Sequence, residues 1–163
     1  MSITALRVIA ILLAAYAPAR ALAQPPIAAM AGEWAGTARI TVDWTLRREL
    51  DVRVAIREDG SVSGMIGDAQ LRDGRIRPNR SRVARAMGLG TDYVIQGRLD
   101  GSIIQAEAIA RDAVRLPLNW TGGTLDGELV TSGSHEPRRP DVVLTASGLV
   151  LRRVAAAPLP TPR

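Results

Sequence analysis

The chain has no cysteine, no lysine and no phenylalanine. Without cysteine there is no disulfide scaffold, no thiol nucleophile and no thiolate metal site, so stability has to come from the core alone. Without lysine there is no amine for Schiff-base chemistry, and all 21 basic residues are arginine, most simply a compositional bias of the coding sequence. Aromatic residues make up 3% of the chain; beyond the first 23 residues they are Trp34, Trp44, Tyr93 and Trp120. Carbohydrate grooves and nucleic-acid surfaces normally use stacking rings, and few are present here. Histidine occurs once, at His135, where a lone imidazole beside Glu136 cannot assemble a zinc site without distant carboxylates. Ser134 adjoins it on the same predicted loop, without the pre-oriented geometry of a Ser-His-acid triad.

The first 23 residues read as a secretory signal peptide. Arg7 supplies the positive n-region, Val8 to Ala15 the short apolar segment, and Ala21-Leu22-Ala23 the small-x-small pattern before cleavage at Gln24. Pro18 and Arg20 interrupt the apolar run well short of the roughly 20 residues a membrane span requires, and no later segment is apolar enough to span. Loss of Arg7 and Arg20 lowers the formal charge from +5 to +3. About 140 residues then remain, enough for one domain that buries around two thirds of its unfolded surface. The expected location is the periplasm or the cell exterior.

Residues 24–31, rich in proline and alanine, read as a flexible leader. From residue 32 to 154 the pattern is alternating. Trp34, Ala38, Ile40, Val42 and Trp44 hold even positions against Thr37, Arg39, Thr41 and Asp43, a period of two that sets one face against a core and the other in water. Leu50, Val52, Val54 and Ile56 repeat it, followed by Val62, Gly64 and Ile66. Further segments contain Tyr93, Ile95 and Leu99; Ile104, Ala106, Ala108 and Ala110; and Val114, Leu116, Leu118 and Trp120, with Pro117 as a sign of an edge or bulge. Val142 to Val154 is the last. Four Asp-Gly pairs, at Asp59, Asp73, Asp100 and Asp126, read as hairpin turns between them. Parallel β/α units need crossover helices, and only Arg80 to Leu89 has room for a short one. The predicted fold is all-β: an antiparallel meander of about eight strands, closed or nearly closed into a barrel, with a two-sheet sandwich as the alternative. Residues 155–163, with three prolines, read as a disordered tail.

Gly32-Glu33-Trp34 opens the first strand and Arg152-Arg153 ends the last. This resembles the calycin barrels, which include lipocalins, avidin-like proteins and small bacterial protease inhibitors. The resemblance implies that Gly32 and Trp34 carry the motif and that Arg152 or Arg153 covers the indole and closes the barrel bottom. Independently of the family, a guanidinium over an indole gains cation–π attraction while its stem hides apolar surface.

Arg72, Arg75, Arg77, Arg80, Arg82 and Arg85 form the most unusual cluster, a formal +5 after the single Asp73 is counted. Arginine forks match phosphate and carboxylate oxygens bidentately, so the cluster is the candidate anion- or partner-binding site. The other reading is a solvated loop paired with neighbouring carboxylates. If Arg80, Arg82 and Arg85 lie on a helix, Val83, Ala86, Met87 and Leu89 are expected to pack on the barrel and plug one end. Gly88-Leu89-Gly90-Thr91 and Gly122-Gly123 lack the spacing and the lysine of a phosphate loop. The Asp-Gly carboxylates read as turn formers rather than acid–base pairs, and no calcium-loop spacing occurs. No catalytic residue, metal ligand or cofactor site is identified.

The resulting expectation is an exported non-enzymatic barrel. It binds a small apolar ligand inside, with Gly64, Ala106 and Ala108 leaving room, or a protein or anionic partner through loops. Three alternatives accompany it: an envelope-associated structural protein using the arginine surface, a protease inhibitor inserting residues 24–29, and a hydrolase with an unrecognised carboxylate pair. Nucleic acid is not an expected partner.

Overall fold

The computed structural model describes residues 25–43, 45–87, 92–132 and 144–155. The expected signal peptide, Trp44, Gly88 to Thr91, His135 and the tail from residue 156 lie outside these. The strands, in chain order, are β1 (Gly32–Ile40), β2 (Glu49–Ile56), β3 (Ser61–Ile66), β4 (Ala69–Pro78), β5 (Tyr93–Asp100), β6 (Ser102–Ile104), β7 (Ile109–Ala110), β8 (Ala113–Thr121), β9 (Thr124–Ser132) and β10 (Leu144–Arg153). Eight of them close into an antiparallel barrel in which β10 returns to pair with β1, while β6 and β7 form a separate small hairpin. Each barrel strand neighbours the next in sequence, and β5 pairs with β8 across that hairpin. Among the described helices, none is long and apolar enough to cross a membrane.

The period-two reading holds through the wall. Leu50, Val52, Val54 and Ile56 share one buried face, as do Val62 and Ile66, Ile95 and Leu99, and Val114, Leu116 and Leu118. Residues between them point outward. Inward Leu50, Ile66, Ile95, Leu116, Leu125, Leu129 and Leu149 are each 0% exposed. These side chains belong to one buried hydrophobic cluster packed between the walls. Neighbouring strands approach closely at Gly36 of β1, where a Cβ would stand 2.1 Å from the Val150 carbonyl oxygen of β10. The pairing of β1 with β10 shifts register between Ala35 and Arg39, around that residue.

Both ends are stoppered. At the end where β1 begins, residues 27–30 form a 3-10 helix, and Met30 is wholly buried. Trp34 Nε1 donates to the Met30 carbonyl (2.9 Å), Arg153 Nη2 donates to the Ala29 carbonyl (2.8 Å), and the Tyr93 hydroxyl donates to the Pro25 carbonyl. The segment expected to be a loose leader is therefore tied to the barrel, because Met30 gives it an apolar anchor and three side chains satisfy its carbonyls. At the other end, the β6–β7 hairpin inserts Ile103 and Ile104, both buried.

Several local expectations change. Asp59-Gly60 and Asp100-Gly101 do lie at strand ends. Asp73, however, sits inside β4 with φ of 52°, at a register shift against both β3 and β5, so this Asp-Gly pair makes a bulge rather than a turn. Asp126-Gly127 lies within β9, and the reversal before it falls at Gly122-Gly123. Ala106 and Ala108 are exposed on the small hairpin and line no interior. Pro117 is neither at an edge nor at a bulge, since β8 is paired on both sides. The short helix α1 (Arg82–Met87) exists but does not plug the barrel: Val83 and Met87 are 68% and 65% exposed. Met30 and the 3-10 helix fill that end instead.

Candidate anion-binding surface

Strand β4 alternates Leu71 and Ile76 inward with Arg72, Arg75 and Arg77 outward. The bulge at Asp73-Gly74 restores that parity after one extra residue, which places all three guanidinium groups on the outer wall. Across the ladder, Arg72 faces Arg98 of β5, Arg75 faces Gln96, and Arg77 faces Val94. Gln96 in turn faces Arg115 of β8. The patch is thus assembled from three strands, of which the local arginine run supplies one. Arg98 and Arg115 went unnoticed in that run, although Arg115 alternates with Val114 and Leu116 and its outward direction was readable from parity.

The arginines divide into two groups. Arg72 pairs with Asp100 at 3.4 Å and Arg75 approaches Asp59 at 3.9 Å, both exposed pairs of small energetic consequence. Asp59 is itself held below the ordinary carboxylate range, first by the Ser61 hydroxyl and then by the Ser61 amide. Arg77, Arg80, Arg82 and Arg115, by contrast, have no carboxylate within salt-bridge distance among the described residues. Arg82 opens α1 and is exposed; the Arg85 backbone lies in the same helix, and its side chain is outside the described residues.

Arg77, Arg80 and Arg115 line one open cleft of about 580 Å³ together with Gln96, Val94 and Pro78. Val94 points outward yet is only 7% exposed, which makes it part of an apolar floor. The rim is shaped by an Asx turn in which the Asn79 side-chain oxygen accepts the Ser81 N–H at 3.1 Å. Among the described residues, no acidic side chain lines the cleft. Three fork-shaped donors around an apolar floor suit a tetrahedral or planar oxyanion that carries an apolar portion. Arg72 stands opposite Arg98 across the ladder, a like-charge pairing that the Asp100 carboxylate beside Arg72 offsets.

The residues expected to close the barrel do meet. Arg153, rather than Arg152, covers the indole, its Cζ 5.1 Å from the Trp34 ring centroid. Trp120 meets the same indole edge-on at 6.2 Å. Gly32 has φ of +139°, a conformation costly for any side chain, and Arg153 lies over the position where a Cβ would project. Another cleft, of about 420 Å³, lies over Ala35, Ala55, Met65 and Val154 on the opposite wall and holds Glu33 and Arg53 without a converging catalytic set. Among the described residues, no three His, Cys, Asp or Glu side chains gather at metal-binding distance. No protein-family model, curated protein or solved structure matches the chain.

Proposed function

We propose that this is an exported, non-enzymatic, calycin-like barrel that binds an anionic partner on its outer wall, through Arg77, Arg80 and Arg115. The observation that carries the reading is an arginine trio that, among the described residues, has no ion-pair partner and lines a cleft with an apolar floor and no acidic side chain. Calycin kinship is supported by Gly32, Trp34 and the Arg153 guanidinium over the indole. Export, and with it a periplasmic or extracellular location, is supported by the Arg7 n-region, the short apolar run and the Ala-x-Ala site. The outer wall is favoured over the interior as the binding face because the inward side chains pack into one buried core. The protease-inhibitor alternative draws no support from the leader, whose buried Met30 holds it against the barrel.

Titration with inorganic phosphate, followed by the NMR signals of the arginine Nε–H groups, tests the reading. Arg77 and Arg115 are expected to shift together and saturably, and R77A/R80A/R115A to lose the response. Arg39, exposed on the far wall, serves as the control and should remain still. Equal shifts at Arg39 and Arg115 would reduce the site to diffuse screening and remove the proposal.

A further inference from the structure

The anionic partner has a second requirement, set by the helix beside the cleft. Arg80 and Ser81 line the cleft, and α1 begins at the very next residue, so the helix rises from its rim. Val83 and Met87 stand four residues apart and share one helical face, and both are largely exposed, at 68% and 65%. Every described side chain on the helix is exposed, and no acidic residue occurs in Arg82–Met87. An apolar pair flanked by arginines on a helix whose described side chains are all exposed is the pattern of a segment lying at a lipid–water interface, where apolar tips enter and guanidinium groups meet phosphates.

We propose that the cleft and α1 together dock the protein on an anionic lipid bilayer, with phosphate headgroups held by Arg77, Arg80 and Arg115 and with Val83 and Met87 entering the acyl boundary. The inference rests on the anion-binding reading above and narrows it to one partner. Charge complementarity supplies attraction worth about fivefold in partitioning per arginine near the surface, hence roughly a hundredfold for three. Neither element suffices alone, because the cleft lacks a deep pocket and two apolar side chains are a small anchor.

The test is co-sedimentation with vesicles of phosphatidylglycerol and phosphatidylcholine, alongside the phosphate titration. The protein is expected to bind these vesicles in 0.1 M salt, to release from them in 1 M salt, where the Debye length shrinks to about 3 Å, and to ignore pure phosphatidylcholine. V83S/M87S should keep the phosphate response and lose about tenfold or more in vesicle binding, whereas R77A/R115A should lose both. Vesicle binding unchanged in V83S/M87S overturns the insertion. Vesicle binding unchanged in R77A/R115A overturns the headgroup role of the cleft. A saturable phosphate response without vesicle binding overturns the bilayer inference and leaves the anion site standing; if poly-glutamate then binds, the surface belongs to an acidic polypeptide. Loss of the phosphate response in the unaltered protein removes both proposals.

Discussion

Replacing Met30 with alanine tests whether the stopper at the Gly32 end is part of the fold. Met30 is 0% exposed and lies among the core side chains. Its loss removes a buried thioether chain and leaves a hole in the core, because the 3-10 helix is held in place by main-chain acceptors that the substitution does not touch. Met-to-Ala changes in cores cost about 2–5 kcal/mol, and a site at a barrel end can collapse in part, so about 2–3 kcal/mol is expected. With a urea slope near 1.5 kcal/mol per molar, the midpoint should fall by about 1.5–2 M at unchanged slope. Tryptophan emission should report it, since the Trp34 indole donates to the Met30 carbonyl. Val83→Ala, at a largely exposed position, is the control and should stay within about 0.5 kcal/mol. A Met30→Ala midpoint within about 0.3 M of the parent would show that the leader does not plug the barrel and that the end is closed by other means.

Arg153→Ala should destabilise by about 1–3 kcal/mol, through loss of the cation–π contact and of a charge-assisted bond to Ala29. Arg152→Ala should stay within about 0.5 kcal/mol, and equal effects in thermal melts would refute the assignment. Acid sensitivity is expected from the opposite end: Glu107 Oε1 accepts from the Thr45 hydroxyl (2.8 Å) and from the Leu46 and Arg47 amides (3.1 Å each). The Thr45 hydroxyl foremost, with those amides, holds the Glu107 carboxyl below its ordinary value; the Gln105 amide foremost, with Arg47, does so for Asp68. Both carboxyls are more acidic folded than unfolded, so their contribution is present above the ordinary carboxylate range near pH 4 and lost as pH falls through their folded values. Urea midpoints should therefore drop below about pH 4, and less steeply in E107Q; identical slopes in parent and E107Q would refute it.

Much of the wall was legible because alternation is a local property. Leu50, Val52, Val54 and Ile56 announce their shared face without reference to any partner strand. The turn chemistry was less secure, since an Asp-Gly pair relieves backbone constraint equally at a hairpin and at a bulge, and only the neighbouring strands decide between them. Asp73 shows this, its positive φ serving a register shift between β3, β4 and β5. The stopper was hidden for a similar reason: Pro25 to Met30 has no periodicity, and its order comes from acceptors for Trp34, Tyr93 and Arg153, side chains distributed over β1, β5 and β10. The arginine run lies on the wall that carries the cleft. Its completion by Arg115 required knowing that β5 pairs with β8 across the β6–β7 excursion.

A barrel stoppered at both ends has a restricted choice of working surface. Interior binding would require displacing Met30 or Ile103 and Ile104, each buried in a packed core, and losing contacts worth several kcal/mol before any ligand contact forms. The outer wall demands no such rearrangement. Its carboxylates are unevenly spread: they reach Arg72, Arg75 and, at the Ile40 end, Arg47, and they leave Arg77, Arg80 and Arg115 without an ion-pair partner among the described residues. A merely solvated face would gain from mixing charges, since opposed arginines such as Arg72 and Arg98 repel along the ladder. Concentrating guanidinium groups that have no ion-pair partner among the described residues beside a buried Val94 and an exposed Val83–Met87 pair is a cost to the free protein that an anionic amphiphile would relieve, and the charge asymmetry of the wall is therefore the feature on which the proposed binding turns.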